Sequence, residues 1–239
     1  MSRYKSQPCP RCRENGRDSR GDNLVIWPDG SGHCFACNYH QPSPLSSKLT
    51  KLHERDVNHG PKSLLPFDFT REVPTAALQW LLQWGLPYSY WKETIGYSPS
   101  EDRLIFKVGQ PLAFSIGRSI NQGAGGRKWY CWGDSHRHAE ICGEGSSIVL
   151  VEDWISSNKV GVAGFECIPL FGTEVHNPVI YHLLNSNKPV FLWLDKDQIS
   201  LVYKKAARLS SVIGREVKVV VTDKDPKSYS LEEIKNAVS

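Results

Sequence analysis

Apolar positions are sparse at the start of the chain and dense at its end. Residues 1–41 hold two short strand-like pieces among turn signals at Asn15-Gly16, Pro28-Asp29-Gly30 and Ser31-Gly32. Residues 42–66 show no apolar period. Their Pro42-Ser43-Pro44-Leu45-Ser46-Ser47-Lys48 and Asn58-His59-Gly60-Pro61 stretches read as a flexible linker. From Phe67 the apolar content rises and stays high. Ser147-Ile148-Val149-Leu150-Val151, Pro189-Val190-Phe191-Leu192-Trp193-Leu194 and Glu216-Val217-Lys218-Val219-Val220-Val221 are runs of strand length, rich in β-branched and aromatic residues. Continuous apolar runs predict strands buried on both faces, as in a parallel sheet. Between the last two, residues 198–213 place Ile199, Val202, Ala206, Leu209 and Ile213 at spacings of three and four, which predicts a helix stopped by Gly214. Strand, helix and strand make a βαβ unit. Ligands bind such sheets at the carboxyl ends of the strands. Glu152, Asp195 and Asp225 fall at or just beyond those ends.

The 239 residues fit one large domain or two to three small ones, and the net charge of +4 permits a nucleic-acid partner without requiring one. No apolar run approaches the roughly 20 residues that span a bilayer. Met1 to Pro8 lack an apolar signal core, so no membrane association and a cytoplasmic setting are expected (the host cytoplasm, if the gene is a phage's). There are seven cysteines, an odd number in a chain with no export signal, which argues against a disulfide framework. Cys9-Pro10-Arg11-Cys12 and Cys34-Phe35-Ala36-Cys37 are two CxxC pairs separated by 21 residues, a spacing that suits four thiolates around one structural zinc ion. Cys131, Cys142 and Cys167 read as buried small hydrophobes, and His136 and His138 as surface residues.

Between the knuckles, Trp27, Asp29, His33 and Phe35 admit two readings. They are suited to stacking on unpaired bases and bonding their edges. Alternatively Trp27 and Phe35 fill the ribbon's small core and Asp29 is a turn residue; for Phe35 the core is the expected place. The helical stretch Trp80, Leu81, Leu82, Trp84, Leu86 and Trp91 is expected to be a packing face. Gly123-Ala124-Gly125-Gly126-Arg127-Lys128 is a glycine loop with a basic end, able to approach phosphates closely.

Glu152, Asp195-Lys196-Asp197 and Asp223-Lys224-Asp225-Pro226 bring acids to one sheet edge. Such acids repel each other without a cation, and their hard oxygens select Mg²⁺ or Mn²⁺. A DxD after a strand also often caps the next helix, so this signal rests on three clusters rather than on one.

Taken in order, these motifs resemble a family. Val151-Glu152 through Gly164, Pro169-Leu170-Phe171-Gly172-Thr173, Leu194-Asp195-Lys196-Asp197 and Asp223-Lys224-Asp225-Pro226 look like the Toprim domain of primases, which topoisomerases, recombination mediators and some nucleases share. Arg103-Leu104-Ile105-Phe106, Gly117-Arg118-Ser119-Ile120 and Lys128-Trp129-Tyr130 are similar to the stretch that precedes it, and the ribbon resembles the zinc-binding domain of bacterial and phage primases. Its compactness is closest in look to phage primases. The resemblance implies a zinc ribbon (1–41), a linker (42–66), an α+β subdomain (67–143) and an α/β Toprim core of mostly parallel strands flanked by helices (144–239). It implies an enzyme that makes RNA primers on single-stranded DNA from ribonucleoside triphosphates. Glu152 would act near the chemistry, Asp195 and Asp197 would hold Mg²⁺ or Mn²⁺, and Asp225 would complete the acidic site. Arg118, Lys128 and, more weakly, Arg103 would contact nucleotide or template. The pattern is broken at Asp153, where glycine is usual, at Gln198-Ile199-Ser200, where small residues are usual, and at Lys227, where an acid is usual. No G-x-x-x-x-G-K-[ST] stretch occurs, so a separate helicase is the expected partner. A Toprim nuclease with a zinc module and a non-catalytic DNA-binding mediator are the alternatives.

Overall fold

The computed structural model describes residues 5–28, 30–41, 63–121, 127–195, 197 and 199–238. Contacts divide the chain into two units, Met1–Pro61 and Lys62–Ser239. Asp29, most of the linker and residues 122–126 of the glycine loop lie outside the described residues.

In the first unit four short strands, β1 (Lys5–Gln7), β2 (Leu24–Ile26), β3 (Gly32–Cys34) and β4 (His40–Gln41), form an antiparallel sheet in sequence order. Helix α1 (Pro10–Glu14) opens directly after Cys9, with Pro10 in its first turn, where the missing N–H costs nothing. The core is Leu24 with Cys9, Cys12 and Cys34, edged by Ile26, Cys37 and Tyr39. One leucine and a cluster of thiols bury too little apolar surface to order the segment unaided. Phe35 is not in this core: it is 71% exposed, and Trp27 is 38% exposed. The register explains the correction. Leu24 pairs with Cys34 on the inner face, so the alternating Val25 and His33, also paired, face outward. Phe35 follows Cys34 into the turn of the knuckle and packs edge-on to His33, with ring centroids 4.7 Å apart.

The second unit contains two sheets. The expected parallel sheet runs β10-β9-β11-β12, from β9 (Ile148–Val151), β10 (Glu166–Pro169), β11 (Val190–Trp193) and β12 (Val217–Val219). Its apolar runs are continuous because both faces are covered. Ile148, Leu150 and Leu192 pack on one side against Val179 and Leu183 of α5 (Asn177–Leu184) and Val202, Ala206 and Leu209 of α6 (Ile199–Ile213). Val149, Val151, Phe191 and Trp193 pack on the other against Ile155 and Val160 of α4 (Trp154–Val162) and Ile234 of α7 (Leu231–Ala237). Helix α6 ends before Gly214 at φ 70°, a left-handed position that glycine takes without strain.

An antiparallel sheet, β5 (Ile95–Ser98), β6 (Arg103–Val108), β7 (Phe114–Ser119) and β8 (Trp129–Trp132), shares the α4 side of this core through Leu104, Phe106, Phe114 and Ile116. The aromatic stretch expected as one packing face is two helices, α2 (Thr75–Leu82) and α3 (Tyr88–Trp91). Gly85, at φ 85°, and Pro87 separate them. Leu81, Leu86 and Trp91 are buried as expected, but Leu82 is exposed. Gly161 is required where α4 meets the loop before β9: a Cβ there would lie 2.7 Å from the carbonyl oxygen of Cys142. Cys142 and Cys167 are buried, and Cys131 is half-buried. No helix among the described residues is long and apolar enough to cross a membrane.

Candidate functional site

The four cysteines of the ribbon converge. Their sulfur atoms all lie within 4.8 Å of one another, and Cys9–Cys37 and Cys12–Cys34 are each 3.6 Å apart. Four sulfurs placed about 2.3 Å from one zinc ion in a tetrahedron would be about 3.8 Å apart, so this arrangement can hold one zinc ion. Burial pushes the Cys12 thiol up to about 12. At Cys34 burial acts the same way but is outweighed by the amides of Cys37 and Ala36, which hold that thiol at about 7. Asp18 supports the first knuckle by accepting from the Cys9 amide at 2.6 Å. His33 stands outside the cluster, on the outer face with Val25.

In the second unit a cleft of about 990 Å³ opens at the carboxyl ends of β9 and β11. Glu152, Asp153, Asp195, Asp225 and Lys227 line one side. The rest of the lining includes Arg118, Arg127 and Lys128 with Trp80, Trp84, Trp129 and Tyr130. Glu152 follows β9 directly, and its Oε2 accepts from the Asp195 amide at 3.2 Å, which ties the ends of the two strands together. Burial raises the carboxyl of Glu152 above its usual range, and Asp197, Asp153 and Asp225 add to the rise. Burial also pushes Asp195 up to about 7; Lys227 opposes this, and Asp153, Asp225 and Glu152 reinforce it. The buried Oδ1 of Asp195 has no hydrogen-bond partner. Among the described residues, four carboxylates thus line the cleft beside the Lys227 ammonium, and the buried Asp195 Oδ1 has no hydrogen-bond partner. Excess charge and hard oxygen donors fit a divalent cation such as Mg²⁺.

The predicted residues are not all brought together. Glu152, Asp195 and Asp225 line the cleft, whereas Asp197 is exposed and does not line it. Arg118 is buried between indoles, its guanidinium carbon 5.0 Å from the Trp80 ring centre and 5.5 Å from that of Trp129. Its burial lowers its pKa, partly countered by Asp153. Lys128 is exposed at the cleft, and Arg127, also exposed, lines it too. Arg103 does not line it. Its buried guanidinium donates to the carbonyls of Arg127 at 2.7 Å and Gly117 at 3.3 Å, pinning the strand edge that carries Lys128.

Four site features escape the sequence reading. Asp153 caps α4, accepting from the Ile155 and Ser156 amides at 2.9 and 3.1 Å. An aspartate just before a helix is the usual cap signal and was available. Lys227 donates to Asp153 at 2.9 Å and to Asp225 at 3.0 Å, and lies 3.9 Å from Asp195. Burial opposes its charge, but the adjoining carboxylates outweigh this and raise its pKa. Trp80 and Trp84, four residues apart, turn partly into the cleft instead of wholly into the core. Phe171 holds φ 53°, a strained backbone for a bulky residue, and its ring stacks on Trp154 at 6.1 Å. The Gly172 amide that follows donates to the Glu152 carbonyl at 3.2 Å, which fixes this turn against the acids.

A four-cysteine ribbon, an antiparallel subdomain and a parallel sheet with acids at its carboxyl edge define the class of fold. Among solved structures, that fold is found in the zinc-binding and RNA polymerase domains of the Aquifex aeolicus primase. These match with a TM-score of 0.56 at 15% identity, over 100% of this chain and 79% of that one. The primase fragment of the bacteriophage T7 primase-helicase protein matches with a TM-score of 0.48 at 14% identity, over 98% of each chain. No family model and no curated protein matches the chain.

Proposed function

We propose that this chain is a DNA primase, joining ribonucleoside triphosphates into short RNA primers on single-stranded DNA. The observation that carries the reading is one cleft lined both by acids at the carboxyl ends of parallel strands and by Arg118, Lys128 and indole rings. Glu152, Asp195, Asp197 and Asp225 would hold Mg²⁺ or Mn²⁺, which supplies charge neutralisation at the reacting phosphates. Arg118 and Lys128 offer charge-assisted donors to the triphosphate and the template backbone. Trp80, Trp129 and Tyr130 offer faces for bases. In the reaction a primer 3′-oxygen bonds to an α-phosphorus as the α–β bridging bond breaks. Pyrophosphate leaves with that electron pair, and the hydroxyl proton goes to solvent or a neighbouring carboxylate. Most of the acceleration comes from positioning and electrostatics. Zinc would be held by Cys9, Cys12, Cys34 and Cys37. Trp27, His33 and Phe35 of the ribbon would read the template, as would Asp29, which lies outside the described residues. A separate replicative helicase is the proposed partner.

The test is synthesis from labelled ribonucleotides and Mg²⁺ on single-stranded templates of varied sequence. Short RNA confined to templates sharing one short motif supports the catalyst and the reader together. DNA degradation without synthesis overturns the reading in favour of a nuclease.

A further inference from the structure

The Lys227 ammonium occupies a position inside the acid cluster that a cation would otherwise take. It donates to Oδ2 of Asp153 at 2.9 Å and to Oδ2 of Asp225 at 3.0 Å, and stands 3.9 Å from Oδ2 of Asp195. The main chain holds it there: the Lys227 carbonyl accepts from the buried Lys159 ammonium at 2.9 Å, and Pro226 is buried. Asp153 is committed as well, because its Oδ1 caps α4 and its Oδ2 also accepts from the Ser156 hydroxyl at 2.7 Å. The acceptors left without such a partner are on the other side of the cluster, where Asp195 Oδ1 is buried and unbonded beside Glu152.

We propose that Lys227 is a tethered cation that fills the Asp153–Asp225 side of the cluster and limits the site to one divalent ion, held on the Glu152–Asp195 side. This rests on the reading of the cluster as a divalent-ion site. A lysine at this place has two consequences. It neutralises part of the carboxylate repulsion without any dissociable ion, so the cleft holds its shape before the metal arrives. It also carries a single charge, whereas the ion it stands in for would carry two, so the cluster keeps an excess of negative charge that favours the one remaining ion.

The experiment is Mn²⁺ titration of the full-length, zinc-loaded chain, following free Mn²⁺ by electron paramagnetic resonance, with thermal melting alongside. Asp195→Ala identifies ions that belong to the cluster. The expected result is one Asp195-dependent Mn²⁺ in the unsubstituted protein and in Lys227→Arg, and two in Lys227→Gln. In zinc-loaded protein dialysed against chelator-free buffer without added divalent ions, Lys227→Gln should melt several degrees below the parent and recover when Mn²⁺ is added. Two Asp195-dependent ions in the unsubstituted protein overturn the proposal whether or not Lys227→Gln folds, and so does a single ion in a folded Lys227→Gln. No Asp195-dependent Mn²⁺ in any of these proteins overturns the divalent-ion reading itself, a result distinct from either count.

Discussion

The ribbon and the cleft each gather side chains of one chemical kind, thiols in the first and carboxylates in the second, yet the two groups are built into their units differently. The sulfurs are the core of the ribbon, with Leu24 the one fully buried aliphatic beside them among the described residues. The carboxylates stand at the rim of a sheet whose strands are buried on both faces by aliphatic and aromatic side chains. A metal ion in the ribbon would therefore supply folding energy, whereas one in the cleft would supply chemistry to a unit that is already folded. Converging ligands in a thin shell suit an ion that holds the fold, and ligands at the rim of a packed sheet suit one that could be exchanged without unfolding it.

The sharpest way to break this comparison is to remove zinc. Chelation, or Cys34→Ser, should unfold residues 5–41 outright, because apparent zinc-binding free energies in such modules are about 10–16 kcal/mol. Amide exchange of β9 and β11 should stay unchanged. If the parallel sheet lost protection with the ribbon, the two units would not be separately stabilised. Next in size, Asp195→Ala should lower primer synthesis by at least about 10³-fold while leaving the melting temperature equal or higher, since a desolvated carboxylate is removed. Primer synthesis at the normal rate would remove Asp195 from the site. Arg118→Gln should cost about 10²-fold in turnover with little loss of the fold, read from steady-state rates and circular dichroism.

The fold was largely legible because the sheet is simple. Two of the four parallel strands, β9 and β11, are unbroken apolar runs, β12 is interrupted only by Lys218, and α6 carries an uninterrupted period ending at glycine. The edge strand β10 was missed because only Cys167 and Ile168 are apolar, between Glu166 and Pro169. Within the site, strand-end acids announce themselves by position. The contacts of Lys227 and Arg103 depend on what folds against them, which spacing along one chain does not encode. Phe35 was misplaced for a similar reason: being aromatic fits either face, and the register of β2 with β3 decides between them.

Smaller effects sharpen the picture on each side. Glu166 is buried and bonds His182 at 2.5 Å and the ammonium of Lys188. Burial raises its carboxyl, but the hydrogen bonds from Lys188 and His182 and the Lys188 charge outweigh that and hold it below the usual range. A carboxyl lowered in the folded state adds stability that is present above its unfolded value near 4.5 and is lost as pH falls through the folded value. Denaturant titration should show this loss below about pH 4.5 in the parent and little of it in Glu166→Gln, which should itself cost about 1–2 kcal/mol at neutral pH. On the ribbon, Phe35→Ala should change stability by less than about 0.5 kcal/mol, because the ring is exposed, while weakening single-stranded DNA binding measured by fluorescence anisotropy. A large stability loss there would return Phe35 to the core.

Both sheets of the larger unit have one outer strand whose free edge is met by a single residue from elsewhere. Cys142 exchanges two amide bonds with Cys167 of β10, at 2.8 and 2.9 Å, and Thr70 does the same with Tyr97 of β5, at 2.9 and 2.8 Å. Unpaired strand edges are templates for pairing with another chain, and one well-placed bridge interrupts the row of open donors and acceptors. On the far side of the parallel sheet, β12 spans three residues and carries the exposed Lys218. These three edges are thus blunted by two stray residues and a lysine. Conditions that loosen the segments around Thr70 or Cys142 should expose these edges and start aggregation well before the core itself melts.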